Sequence, residues 1–85
     1  MYALRNSAMT TMVDDELVIL DPEGGKYYGL NPSGTRILEI LLASPRLDEC
    51  AAAIALEYDV EPGRARKDLE AFIQSMKGKG LLLES

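Results

Sequence analysis

The sequence predicts an α+β fold, a three-stranded antiparallel sheet followed by three helices. Two observations predict it. Up to residue 30, apolar residues come in short β-prone runs broken by turn residues; after it they recur at every third or fourth place. The change of pattern falls inside one stretch, Lys26-Tyr27-Tyr28-Gly29-Leu30-Asn31-Pro32-Ser33-Gly34. Its first half suits a pleated, half-buried strand. Its second half opens a helix: Asn31 accepts a hydrogen bond from an N–H of the first turn, and Pro32 has no N–H to waste there.

Met1 to Asn6 shows no periodicity and is expected to be a loose lead-in. Ser7 to Val13 alternates weakly and is expected to be a strand, followed by a turn at Asp14-Asp15-Glu16. Leu17-Val18-Ile19-Leu20 is a compact apolar run with two β-branched residues and predicts the second strand. In Asp21-Pro22-Glu23-Gly24-Gly25, proline presets φ and the glycines accept positive φ, so the chain turns back. Lys26 to Leu30 then forms the third strand, at the edge of the sheet. An edge strand carries unpaired N–H and C=O groups.

The first helix is expected over Pro32 to Ala43, with Ile37, Leu38, Leu41 and Leu42 on one face and Ile40 widening it. Ser44-Pro45 ends it, because the residue before a proline avoids the α region. Asp48 is expected to cap a second helix, Glu49 to Tyr58, whose face of Cys50, Ala51, Ile54, Ala55 and Tyr58 allows close packing. Pro62 opens the third and longest helix, to about Lys77. Ala65, Leu69, Phe72, Ile73 and Met76 share one face, which reads first as core. Gly78 and Gly80 are candidate terminators, Leu81-Leu82-Leu83 folds back on the core, and Glu84-Ser85 is a free end.

Eighty-five residues predict one domain spanning 1–85, and 47% hydrophobic content supplies one core. The net charge of −5 works against nonspecific nucleic-acid binding, which needs a basic face to displace counterions. The N-terminal residues lack the apolar run of a signal peptide, and no apolar run approaches a membrane span. The expected location is the cytoplasm.

The chain has no histidine and a single cysteine, Cys50. That removes the common zinc sets and the Ser/His and Cys/His nucleophile pairs, and Cys50 among alanines reads as a small buried hydrophobe. No P-loop is present. The acids at 14–16 read as a solvated turn. No cofactor, metal or catalytic residue is implied, which leaves binding.

Two binding readings compete. Three strands and three helices suit a winged helix-turn-helix, whose DNA contacts would be Arg64, Arg66 and Lys67. These alternate with acids, and Arg64–Asp68 and Arg66–Glu70 have the spacing of ion pairs on a solvated helix face. In the other reading, a peptide adds as a fourth strand beside Lys26–Leu30, in a groove walled by the third helix.

The runs Leu17-Val18-Ile19-Leu20-Asp21 and Gly25-Lys26-Tyr27-Tyr28-Gly29-Leu30-Asn31 resemble PqqD-like proteins. So do Asp59-Val60 before a helix, Asp68-Leu69-Glu70-Ala71-Phe72-Ile73 within it, and Gly80-Leu81-Leu82 after it. The resemblance covers about Met9 to Leu83. It implies a precursor-peptide recognition element (RiPP recognition element) that binds the leader of a ribosomally made precursor as an added strand. Carried onto this chain, the contacts are Lys26, Tyr27, Tyr28, Gly29 and Leu30 on the strand, with Asp68, Leu69, Phe72, Ile73 and Met76 on the helix. The short chain with its Gly-Lys-Tyr-Tyr-Gly-Leu-Asn run is similar to the leader-binding protein of lasso-peptide biosynthesis. That resemblance implies a noncatalytic partner of a leader-peptide protease and a cyclase. The alternatives are a peptide chaperone for a radical SAM enzyme in pyrroloquinoline quinone synthesis and a winged-helix DNA-binding regulator.

Overall fold

The computed structural model describes residues 2–44 and 46–84. The order of elements is β1 (Tyr2–Leu4), β2 (Met9–Val13), β3 (Glu16–Asp21), β4 (Lys26–Gly29), α1 (Pro32–Ala43), α2 (Leu47–Tyr58), α3 (Pro62–Gly78) and β5 (Leu82–Glu84). Strands β2, β3 and β4 form an antiparallel meander in that order, and the three helices follow, as the change of pattern at residue 30 predicts. The fold is α+β with a three-stranded sheet.

The meander is made by two turns with local causes. Asp14 takes the left-handed region at φ 57° between β2 and β3, which aspartate tolerates better than most residues. Between β3 and β4, Gly25 sits at φ 68°. Gly24 leaves room for the Asp21 side chain, since a Cβ there would lie 2.6 Å from Oδ2.

Helix α1 starts as its sequence dictates. The Asn31 side chain accepts from the Gly34 N–H at 2.7 Å, and Pro32 occupies the first turn. Helix α2 corrects an expectation. Arg46, not Asp48, precedes its first turn, and Asp48 lies inside the helix. There it pairs with the Arg46 guanidinium at 3.3 Å, which holds the carboxyl below its usual range. Pro45 lies outside the described residues. Helix α3 ends in a Schellman motif. Gly80, at φ 73°, donates to the Lys77 carbonyl, and Leu81 donates to that of Met76. Gly80 is therefore the terminator, and Gly78 is the last helical residue.

The ends of the chain correct two further expectations. Residues 2–4 are a strand rather than a loose lead-in, and Glu84 is paired rather than free; Met1 and Ser85 lie outside the described residues. Tyr2, Ala3 and Leu4 pair antiparallel with Glu84, Leu83 and Leu82. Arg5 N–H extends the ribbon to the Leu81 carbonyl at 2.9 Å. Leu81 and Leu82 are buried, so the tail does fold back, but Leu83 is half exposed on the outer side of the ribbon.

The core gathers Ile19 from the sheet, Leu38, Ile40 and Leu41 from α1, Ile54 from α2, and Leu69, Ile73 and Met76 from α3. Small residues Ala51, Ala55 and Ala65 are buried in it, as close helix approach requires. Cys50 is fully buried, with Sγ 3.8 Å from the carbonyls of Ile40 and Ser44. Tyr58, expected on the apolar face of α2, stays 39% exposed and is not part of the buried core. Among the described residues no helix is long and apolar enough to cross a membrane.

Candidate functional site: an open strand edge beside helix α3

The register across β3 and β4 decides which backbone groups stay open. Val18 faces Gly29, Ile19 faces Tyr28, Leu20 faces Tyr27 and Asp21 faces Lys26. The Leu30 N–H donates to the Leu17 carbonyl at 2.9 Å, so that pair is of the hydrogen-bonded kind. Antiparallel pairs alternate in kind. Lys26 and Tyr28 therefore direct their main-chain groups into the sheet. Tyr27 and Gly29 direct theirs outward. Among the described residues no strand pairs with that outer side, because the C-terminal strand joins β1 instead.

Thr35 closes the strand. Its buried hydroxyl accepts from the Leu17 N–H at 2.9 Å and donates to the Leu30 carbonyl at 3.3 Å. A side chain thus stands where the next ladder bond would be. It ties α1 to β3 at the point where the chain leaves the sheet. Nothing in the sequence pattern singled it out, since a threonine one turn into a helix usually reads as surface or packing.

Beside the open edge lies a groove of about 350 Å³. Its strand side is Tyr27, Tyr28, Gly29 and Leu30; its helix side is Phe72, Ser75, Met76 and Lys79. Tyr28, Leu30 and Phe72 are half-buried against the core, and Met76 forms floor rather than rim. The Lys79 ammonium lies 6.0 Å from the centre of the Tyr28 ring and donates to Ser75 Oγ at 2.8 Å.

The ten residues expected at the site divide. Tyr27, Tyr28, Gly29, Leu30, Phe72 and Met76 come together in the groove. Lys26 begins the same strand but does not line it. Leu69 and Ile73 are only 0% and 3% exposed and belong to the core. Asp68 lines a different hollow, with Ile37, Ile54, Tyr58 and Val60, and faces Arg64 at 3.8 Å. Ser75 and Lys79 were missed. The signal was present, because 72, 75, 76 and 79 follow helical spacing, but a lysine at a helix end reads first as a complement to the helix dipole.

The two arginines of α3 are spent on the helix itself. Arg64 faces Asp68, and Arg66 faces Glu70 at 3.6 Å, as their spacing predicts. Among the described residues no cluster of three potential ligands for a metal ion is found.

The profile of the family described as Coenzyme PQQ synthesis protein D (PqqD) matches residues 16–82. The chain belongs to the PqqD family. Two solved structures share the fold of this PqqD-family protein nearly end to end. One is TbiB1 in complex with the TbiA(beta) leader peptide: TM-score 0.86, 32% identity, 96% of this chain and 95% of that one covered. The other is a lasso peptide synthetase B1 complexed with the leader peptide: TM-score 0.89, 30% identity, 98% of each chain covered. No curated protein sequence matches the chain.

Proposed function

We propose that this PqqD-family protein is a noncatalytic leader-binding protein of lasso-peptide biosynthesis. It captures the leader of a ribosomally made precursor as a strand added to β4, and it presents the precursor to a leader protease and cyclase. The observation that carries the reading is the open outer side of β4 lying along an apolar groove. Main-chain bonds from Tyr27 and Gly29 would hold the guest backbone, and the groove would take one of its side chains. Full-length likeness to two proteins solved with leader peptides supports it.

Each hydrogen bond nets only about 0.5–1.5 kcal/mol. An apolar anchor over Phe72 and Met76 therefore has to contribute a comparable or larger share. A total of about −8 to −10 kcal/mol, micromolar to submicromolar, is expected. The family description favours a second reading, a chaperone for a radical SAM enzyme in pyrroloquinoline quinone synthesis. The two share the capture step and differ in the enzyme served.

The test is calorimetry with the leader of the precursor encoded beside the gene. Wild type should bind with saturable heat. Gly29→Pro should fold and not bind, because proline is tolerated where the strand N–H points to solvent, yet it removes that donor and blocks the edge. Undiminished binding by folded Gly29→Pro, or no heat and no spectral shift with wild type, would refute capture at β4.

A further inference from the structure

We infer that the groove reads two side chains on one face of the guest strand: an apolar one over Leu30, Phe72 and Met76, and, two residues along, a carboxylate that reaches Lys79. This rests on the proposed capture at β4 and names the chemistry of what is captured.

The first support is where uncompensated positive charge lies. The chain is acidic, at −5. Among the described residues every arginine faces a carboxylate, and Lys77 faces Glu84 at 3.0 Å. Lys26, Lys67 and Lys79 do not. Lys67 lies over a polar hollow elsewhere on α3. Lys26 stands opposite Asp21 in the sheet register, so an acid shares its surroundings. Lys79 is the cation that lines the groove, and its only hydrogen-bond partner among the described residues is the neutral Ser75 hydroxyl.

The second support is spacing. Same-face residues of a strand are about 6.7 Å apart. The Lys79 ammonium bonds Ser75 Oγ, and Ser75 lines the groove with Phe72 and Met76, so the charge stands beside the apolar floor. A guest side chain one same-face step from the residue on the floor is within reach of that ammonium. The Tyr28 ring beneath Lys79 keeps that end partly apolar, which strengthens a charge pair relative to open water. Lys79 also complements the negative end of the α3 dipole, but that role would be indifferent to the charge on a bound peptide.

The experiment is parallel selection of a random dodecamer phage library on the immobilised full chain, as wild type, Lys79→Glu and Gly29→Pro. Circular dichroism of each variant checks the fold. Wild type should enrich peptides with an acidic residue two places from a large apolar one. Lys79→Glu should enrich the same apolar residue with a basic neighbour, and Gly29→Pro should retain neither set. In synthetic copies of the winners, Glu→Gln or Asp→Asn should weaken binding to wild type about two- to fivefold, the range of a largely exposed pair, and leave binding to Lys79→Gln unchanged. Peptides retained at β4 without an acidic preference, or with one that survives Lys79→Glu, would overturn the inference and leave the capture reading standing. No retained peptide at all, or full retention by folded Gly29→Pro, would remove the capture reading and this inference with it.

Discussion

Thr35 and Phe72 show two ways in which one residue matters here. The Thr35 hydroxyl, itself buried, satisfies a Leu17 N–H and a Leu30 carbonyl at once. Thr35→Val keeps the shape and removes the oxygen. We expect it to cost about 1–3 kcal/mol, the usual price of a stranded buried donor, read as a lower urea midpoint at unchanged slope. Thr35→Ser should retain most of the stability. Phe72 is half-buried at the groove, whereas Leu69, one turn before it, is wholly buried. Both lie in the Asp68–Ile73 stretch that the family resemblance marked, and the stretch alone cannot separate them. Each residue turns a helix by about 100°, so one run of sequence serves both core and groove. The core stripe through Ala65, Leu69, Ile73 and Met76 was legible. The groove stripe through Phe72, Met76 and Lys79 lies beside it and shares a member, which hid it.

At the scale of elements, the legible parts are those with local causes. Asn31-Pro32 and Pro62 set helix starts, and the Gly24-Gly25 turn sets the hairpin. The β1–β5 ribbon has no local cause. Each strand is three residues long, too short for a period, and its partner is at the other end of the chain. Its stability has a pH window. The Lys77 ammonium bonds the Glu84 carboxylate and holds its pKa below the ordinary 4.5. That contribution is whole above about pH 4.5 and is lost as pH falls through the lowered value. Burial, and then the Glu84 charge, raise the Tyr2 phenol above 10.0, so its contribution is whole below pH 10.0 and lost as pH rises through the raised value. The ribbon should therefore loosen at both extremes, seen by NMR as loss of cross-strand contacts between residues 2 and 84. Lys77→Gln should bring the acid edge to higher pH. An acid edge that Lys77→Gln leaves in place would show that the ion pair does not set it.

For the molecule as a whole, the question is which face meets a partner. The winged-helix arrangement invites a nucleic-acid reading of α3, but Arg64 and Arg66 already face acids on their own helix. The groove lies toward the other end of that helix, beside β4. Reversing Arg64, Arg66 and Lys67 to glutamate should leave leader affinity within about twofold, because none of the three lines the groove. It would abolish binding under a DNA reading. A tenfold or greater loss of leader affinity with the fold intact would place α3's basic turn in the peptide site after all. The general layout of this surface was legible, since the edge position of β4 follows from the meander. Which helix residues complete it was not, because that depends on how α3 lies across the sheet.

The shortness of β4 also limits the vocabulary of whatever is read there. β4 is four residues long, and two of them, Tyr27 and Gly29, turn their main chain outward. A margin so brief can spell about one short word. Discrimination between one message and another must then come from a few letters read strictly, and the rest of the message is free to vary.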